Sequence, residues 1–485
     1  MEVAIIFGSV IVLHTLFYYL DGYLKETKST KYAIFLNAFP IQVDFMSLKW
    51  TTSMFNKALS SWTIGKLKLL HAWYKVGTAA TLLLCIPSMI LLTSTAFVSF
   101  ENMRQHKKEE AVLQPVLPGI NLPKSDLPFY FLTLLVCTVV HEMGHAVAAV
   151  SEQIPLATIG FMLWFIIPAA FVELPTSNVN GLSHWRQLKI YCAGVWHNII
   201  LAALAYIILM LLPVILMPLF QTGAGVYVVN LNEYSTVGGH DFQIGDHLTR
   251  INDCRITDAG SWNQCLTAVL RESSSGFCVT NSYFSGIQAI ASDQPACCND
   301  SELSQSHLCF LSFSELPKKN HYCLRAREVA TISSAWCRND KDCTVNQSCL
   351  KPSFRLQSEN ETDSSSLILV KRNNADSILF VGQPDVIYLS VHVSNYVPRT
   401  FLGPQFINCI DHLLRYIVSF SAGLALLNVV PCMYMDGQHI VNALSEIVFE
   451  GRNISMKRQI LRALIFIGTF LVVVNLTFGM FALFL

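Results

Sequence analysis

The stretch His141-Glu-Met-Gly-His145 directly follows residues 127–140, which contain no charged side chain. On a helix, residues four apart share a face, so both imidazoles can bind one metal ion. Glu142 stands one position further along, where a carboxylate can act as a general base. An ionised group at mid-bilayer costs about 2.5–3.5 kcal/mol, so three ionisable groups on one turn call for a ligand. We predict a catalytic zinc site on a membrane helix, in preference to a buried polar cluster or a structural metal site.

Zinc needs a third protein ligand and one open position for catalysis. Asp436 is the best candidate because it ends a long apolar run in which Pro431 blocks regular helix and Gly437 permits a sharp turn. The alternative is an aspartate that ends a helix at the lipid headgroups. Glu173 and His439 are competing ligands, but neither comes with comparable local sequence.

A second polar patch is Gly194-Val-Trp-His-Asn198, within the uncharged run 190–220. The amide of Asn198 could donate a hydrogen bond to a substrate carbonyl or an oxyanion. It could equally form an interhelical hydrogen bond, with Gly194 allowing two helices to pack closely. The sequence leaves both interpretations open.

The composition places the chain in a lipid bilayer. Of 485 residues, 14% are charged and 52% hydrophobic, whereas about 25% are charged in a soluble domain. These values exclude a disordered chain and a coiled coil. Basic and acidic residues balance at 33 each, so nothing indicates a nucleic-acid partner.

The fold class predicted from the uncharged runs is a multi-span α-helical membrane protein with about six transmembrane helices. The predicted spans are residues 3–20, 76–100, 127–151, 190–220, 416–435 and 463–485. The first is expected to be a retained anchor, since it lacks a basic n-region and a cleavage site. Pro155, Gly160 and Pro168 interrupt a further run, 153–172, which we predict to be a re-entrant β element shielded by protein.

The orientation follows from lysines. Residues 21–75 contain eight lysines against three acidic residues, which predicts a cytosolic location. With six spans, the active site then lies within the membrane toward the cytosolic side, and residues 221–407 lie in the lumen.

Ten of the 15 cysteines fall between Cys254 and Cys349. A dense, even set in a polar segment predicts a disulfide framework in an oxidising compartment. The alternative, a zinc cluster, lacks paired C-x-x-C spacing. The same region contains sequons at Asn299, Asn346 and Asn360, which we predict to be glycosylation sites.

The predicted lumenal segment, 221–407, has the pattern of a PDZ-like β domain, with an unrelated small β domain as the alternative. Strand patterns occur at residues 225–229, 244–252, 367–370, 378–381 and 386–393. A Cys-rich insertion at about 278–350 interrupts the module.

Four regions follow from these spans. Residues 1–126 form an N-terminal anchor region with two spans and a basic cytosolic loop. The catalytic membrane core consists of residues 127–220 and 408–485, and the lumenal domain with its insertion, 221–407, separates the two parts.

The combination resembles the site-2 protease family of intramembrane metalloproteases. It joins the HExxH membrane helix, the Gly194-x-x-x-Asn198 patch, a PDZ-like segment and Asn428-x-x-Pro…Asp436-Gly437. The resemblance implies one zinc ion held by His141, His145 and Asp436, with Glu142 as the general base.

The resemblance further implies a Golgi membrane protein, with the endoplasmic reticulum as the other location. Its partners would be single-span membrane proteins, namely membrane-anchored transcription factor precursors such as sterol regulatory element-binding proteins. Cleavage would follow a prior lumenal cut and release a cytosolic fragment. The alternative functions are a zinc transporter and a non-catalytic membrane scaffold.

Overall fold

The computed structural model describes most of the chain. Outside the described residues lie 1, 106–123, 232–241, 272–275, 285–289, 292–296, 299–306, 313–319, 354–365, 374, 383, 400–402, 452–453 and 485, together with the side chains of 2–7, 124, 271, 284, 290–291 and 482–484. The described residues divide into two compact units, one made of Met1–Met210 with Asp411–Leu485 and the other of Leu211–Ile410.

The helices of the described residues are numbered in chain order. They are α1 (Glu2–Glu26), α2 (Thr30–Ala38), α3 (Asn56–Ile64), α4 (Leu67–Arg104), α5 (Leu127–Ser151), α6 (Thr176–Asn180), α7 (His184–Ile215), α8 (Ala259–Arg271), α9 (Asn281–Phe284), α10 (Ala326–Ile332), α11 (Pro384–Ser390), α12 (Gln405–Asn428), α13 (Asp436–Val448) and α14 (Ile454–Phe484).

The strands of the described residues are numbered in the same way. They are β1 (Ile41–Asp44), β2 (Ser47–Thr52), β3 (Thr158–Trp164), β4 (Ile167–Glu173), β5 (Phe220–Gln221), β6 (Val226–Leu231), β7 (His247–Ile251), β8 (Cys254–Arg255), β9 (Gly276–Thr280), β10 (Ile290–Ala291), β11 (His307–Ser312), β12 (Asn320–Arg325), β13 (Trp336–Cys337), β14 (Gln347–Ser353), β15 (Ser366–Arg372), β16 (Ile378–Gly382), β17 (Val391–Ser394) and β18 (Val397–Pro398).

Five helices of the described residues, α4, α5, α7, α12 and α14, are long and apolar enough to cross a bilayer. They overlap five of the six predicted spans, so a multi-span helical membrane protein is confirmed. The predicted span 416–435 is wrong in its last part, because α12 ends at Asn428 and Pro431 prevents the helix from continuing. Helix α1 covers the remaining predicted span, residues 3–20. That span stays a prediction because part of its side chains lie outside the described residues.

Small side chains hold the catalytic segment of α5 against its neighbours. Ala146, Ala148 and Ala149 are buried in a core that α5 shares with α4 and α7. A Cβ atom on Gly144 would lie 2.6 Å from the carbonyl oxygen of Ala193 in α7, so only glycine permits this approach. The helix backbones therefore meet closely beside the HExxH turn.

The predicted β element at 153–172 forms an antiparallel hairpin of β3 and β4. It belongs to a four-stranded sheet of order β1-β2-β3-β4. Strands β1 and β2 come from residues 41–52, inside the region that the sequence indicated only as a basic loop. The sheet thus combines two strands that precede α4 in the sequence, β1 and β2, with two that follow it, β3 and β4. Strand β4 packs beside α5.

The second unit contains two larger sheets. One is five-stranded with order β16-β15-β7-β6-β17, and its core surrounds Trp262 of α8. The other is six-stranded with order β10-β12-β11-β14-β9-β13, and it lies in sequence between α8 and β15. The strands of the six-stranded sheet therefore interrupt the five-stranded sheet in sequence, as expected for a β domain with an insertion. The PDZ-like character of the domain stays a prediction.

All ten cysteines of the Cys-rich segment form disulfides, which confirms the predicted framework. The pairs are Cys254–Cys265, Cys278–Cys343, Cys297–Cys309, Cys298–Cys323 and Cys337–Cys349. Sulfur atoms of Cys278, Cys337 and Cys343 lie close together, but each already belongs to a disulfide. They therefore offer no thiolate to a metal ion.

The strand predicted at residues 386–393 is wrong in its first half. Helix α11 occupies Pro384–Ser390, and only Val391–Ser394 are extended. Pro384 fits the first turn of a helix, where its missing N–H costs nothing. Ile387 is fully buried, and α11 packs on α8, so tertiary packing outweighs the β propensity of the valine and isoleucine residues.

Candidate active site

The HExxH stretch lies in the last three turns of α5. The helix ends at Ser151 because Gln153 has a φ of +67°, and the N–H of Ile154 donates back to the carbonyl of Ala149. His141 and His145 are neighbours on one face, with ring centroids 4.8 Å apart. The two histidines thus lie on one face of a helix, as their four-residue spacing predicts.

Asp436 is the first residue of α13 and follows an irregular loop after α12. Pro431 cannot continue the preceding helix. A Cβ atom on Gly437 would lie 1.9 Å from the carbonyl oxygen of Val430, and one on Gly468 of α14 would lie 2.1 Å from that of Pro431. Two glycines thus let the loop fold tightly between α13 and α14, which fixes the position of the aspartate.

The structure brings the three predicted ligands together. The Oδ2 atom of Asp436 lies 3.0 Å from Nε2 of His141 and 3.3 Å from Nε2 of His145. The two Nε2 atoms are 3.2 Å apart. Ligand atoms about 2.1 Å from a tetrahedral zinc ion stand about 3.3 Å from one another. The three atoms therefore have the mutual spacing of a zinc ligand set.

Two further observations fit a cation at this point. The Oδ2 atom of Asp436 is buried and has no hydrogen-bond partner among the described residues. A Cβ atom on Gly194 would lie 2.3 Å from Nε2 of His145 and 2.6 Å from Nε2 of His141. The absence of a side chain at Gly194 keeps space free beside both nitrogens, so the residues present fit a metal ion.

The outer nitrogen of each histidine has a partner on α7. Nδ1 of His145 lies 2.8 Å from the carbonyl oxygen of Ile190, to which it donates. Nδ1 of His141 lies 3.2 Å from the side-chain amide of Asn198, which is completely buried. The bond to Ile190 leaves Nε2 of His145 unprotonated and available to a metal.

The orientation of the Asn198 amide follows from this tautomer. If Nε2 of His141 binds a metal, Nδ1 carries the proton and needs an acceptor. The Oδ1 atom of Asn198 is buried and has no hydrogen-bond partner among the described residues. Exchanging the amide oxygen and nitrogen supplies that acceptor and satisfies both groups. This geometry matches the interhelical hydrogen bond, while the predicted oxyanion role stays a prediction.

Glu142 faces the four-stranded sheet. It does not face α7, which carries the hydrogen-bond partners of the two histidines. Its Oε2 atom accepts a hydrogen bond of 2.9 Å from the N–H of Val172 in β4. One turn earlier, Oγ1 of Thr138 accepts a bond of 3.2 Å from the N–H of Ala170. The outer edge of β4 is therefore bonded at alternate residues to the helix that bears the predicted general base.

The two competing third ligands lie elsewhere. Glu173 accepts hydrogen bonds from Lys49 and Thr158 at the end of β4, and these bonds lower the pKa of its carboxyl group. His439 stacks on Tyr191 with ring centroids 5.1 Å apart. His412 lies 3.0 Å from Asp126.

The comparison with known families agrees with this geometry. The sequence profile of peptidase family M50 matches residues 129–475. The chain belongs to peptidase family M50. The membrane-bound transcription factor site-2 protease homolog of Arabidopsis thaliana is 25% identical over 419 residues, covering 77% of this chain and 80% of the relative. The resemblance to the site-2 protease family is confirmed.

Membership of M50, together with five apolar helices, indicates a membrane metalloprotease. Metalloproteases of this family are generally zinc dependent, and His141, His145 and Asp436 form a possible site for the ion.

Sequence reasoning missed the elements that surround Glu142. Thr138 stands four residues before Glu142 and so shares its helix face, a spacing that could have identified it. No comparable signal marked β2 or α3, because their partners lie about a hundred residues away in sequence.

Proposed function

We propose that the protein is a zinc-dependent intramembrane endopeptidase. The observation that carries the proposal is the convergence of His141, His145 and Asp436 beside Glu142, on a helix that can cross a bilayer. The site residues come from two segments that the second unit separates in sequence. Three side chains that are far apart in sequence but meet in space support a role for all of them in one site.

The residues divide the chemistry between them. A bound zinc ion would supply the Lewis acidity that makes water nucleophilic near neutral pH. Glu142 takes a proton from the attacking water and delivers it to the leaving amine. Asn198 and the carbonyl of Ile190 hold the two imidazoles in the tautomer that the metal requires.

The substrate must be extended at the point of cleavage, because the carbonyls of a helix are already hydrogen-bonded and covered. Strand β4 lies beside Glu142, so an unwound segment could add to this sheet by strand pairing. Val172 and Ala170 would then exchange their present bonds to α5 for bonds to the substrate.

The name of the Arabidopsis relative refers to membrane-bound transcription factors. We extend this to the present chain and propose that it cleaves single-span membrane precursors of the sterol regulatory element-binding protein type, releasing cytosolic fragments. A PDZ-like second unit that excludes large lumenal domains would make a prior lumenal cut necessary. We place the protein in the Golgi membrane, with the second unit in the lumen.

The Glu142→Gln variant tests the proposal, because the amide keeps the shape of the side chain and cannot accept the proton. We expect one equivalent of zinc in both the variant and the unaltered protein, and cleavage of a single-span reporter in reconstituted vesicles only by the latter. Zinc flux that persists in the variant without any cleavage in either protein would instead identify a transporter. Unchanged reporter cleavage by the variant would refute Glu142 as the base.

A further inference from the structure

An apolar cavity of about 540 Å³ lies between the four-stranded sheet, α3 and α5. Glu142 is part of its wall, and Val172 lines it from β4. The opposite wall is built by Phe55, Ala58 and Trp62, on and just before α3. The general base thus borders a space large enough for several apolar side chains.

A second apolar cavity, of about 610 Å³, lies on the other side of the same wall. Trp73 and Tyr74 of α4 and His197 of α7 line it. Leu59, Trp62 and Met143 line both cavities and so separate them. Each cavity has the size of a small-molecule pocket, which is about 300–1,000 Å³.

The partition is hydrogen-bonded to the segment before β3 at the start of α3, and Trp62 forms its exposed side. Asn56 donates hydrogen bonds of 3.1 Å to the carbonyls of Leu156 and Ala157, which ties α3 to the segment before β3. The side chain of Trp62, in contrast, is 50% exposed, and Nζ of Lys66 lies 4.3 Å from the centre of its ring. A smaller side chain at position 62 would therefore enlarge the space next to both cavities without disturbing the bonds of Asn56.

We propose that these two cavities receive the apolar side chains of an extended substrate segment, on either side of the bond that is cleaved, and that Trp62 determines how large those side chains can be. The inference rests on the proposed protease function and names the substrate class of that site, an extended peptide with bulky aliphatic or aromatic residues.

A peptide suits the first cavity better than the alternative occupant, a lipid acyl chain. The cavity is bordered by Glu142 and by the strand edge of β4, whose N–H groups at Ala170 and Val172 donate to Thr138 and Glu142 and would need other acceptors once these bonds to α5 are released. A peptide backbone supplies carbonyl oxygens at that spacing, whereas an acyl chain supplies none.

The first test compares a pair of reporters that carry either leucine or tryptophan next to the cleaved bond. We expect the Trp62→Ala variant to raise the cleavage of the tryptophan reporter relative to the leucine reporter by about tenfold or more, with Trp62→Phe intermediate. Trp185, which is equally exposed and lines neither cavity, provides the control Trp185→Ala, in which the ratio should not change. A Trp62→Ala variant that cleaves with an unaltered ratio overturns the inference.

The second test does not need cleavage. In the Glu142→Gln protein, Ala58→Cys should form a disulfide with a single cysteine in the substrate's membrane segment upon oxidation, above the level given by Trp185→Cys and by the parent. Crosslinking no stronger than these controls means that the cavity holds lipid only and refutes the inference. Crosslinking without cleavage by any unaltered protein would instead refute the proposed function while the binding site stands.

Discussion

At the scale of single residues, Asn198 is the partner that sets the state of His141. Its amide is completely buried against Nδ1, so in the proposed zinc site it would act on the metal through the imidazole. Partners of this kind fix the ring orientation and raise the basicity of the ligand. The carbonyl of Ile190 performs the same role for His145, but a backbone group cannot be altered as cleanly.

Replacing Asn198 with leucine keeps the branched shape of the side chain and removes the acceptor. We expect zinc to bind about 10–100-fold more weakly in Asn198→Leu, measured by competition with a fluorescent chelator. Asn198→Asp, which keeps an acceptor, should retain most of the affinity. Equal zinc affinity in all three proteins would contradict the positioning role.

At the scale of elements, Glu152 joins the ends of three helices. It follows α5 directly and is 3% exposed. Lys189 and Arg186 of α7 each donate to its carboxylate at 2.6 Å, and Nδ1 of His71 in α4 lies 3.4 Å away. Burial alone would raise the pKa of Glu152, but the hydrogen bonds from Lys189 and Arg186 outweigh it and hold the pKa below its usual range.

The Glu152→Gln variant should therefore be less stable at neutral pH, by about 3 kcal/mol, because two cations lose their counter-charge. A lowered pKa contributes stability above the unfolded value of about 4.3, and this contribution is lost as the pH falls through the folded value. The difference in melting temperature between the two proteins should thus shrink below about pH 4. Thermal unfolding followed by tryptophan fluorescence measures it, with the exposed Glu450→Gln as control. A difference independent of pH would contradict the ion-pair account.

The elements also show what the sequence could predict. Long apolar runs and a four-residue histidine spacing are local signals, so α5, α7, α12 and the ligand helix face followed from them. The pairing of β2 with β3 joins residues 47–52 to residues 159–164, and nothing local in either strand identifies its partner. The amide of Asn198 had two local interpretations, and only the position of α7 beside α5 distinguishes them.

At the scale of the whole molecule, the catalytic residues flank the second unit in sequence, and the disulfides all lie within that unit. Asn346 is exposed in the turn before β14, whereas Asn299 and Asn360 lie outside the described residues. Disulfides indicate an oxidising compartment for this unit. The lysines of residues 21–75 predict that the basic segment lies on the other side of the membrane, in the cytosol.

Glycosylation tests this orientation. We expect a mass decrease upon endoglycosidase treatment of protein from animal cells, reduced by Asn346→Gln. The Phe39→Thr change completes an Asn-x-Thr sequon at the exposed Asn37 and should add no glycan if that segment has the predicted cytosolic location. An additional glycan on Phe39→Thr, seen as a further mass shift in gel electrophoresis, would invert the predicted topology.

The pairing of β2 with β3 has a consequence for any minimal version of this enzyme. The family match begins at residue 129, and a chain shortened to that point would still contain every proposed zinc ligand. It would nevertheless leave an unpaired strand edge at β3 and remove one side of the space next to Glu142. Such a truncated chain should still bind zinc. Its unpaired sheet edge would pair with strands of other protein molecules, so the chain should aggregate and not cleave substrate.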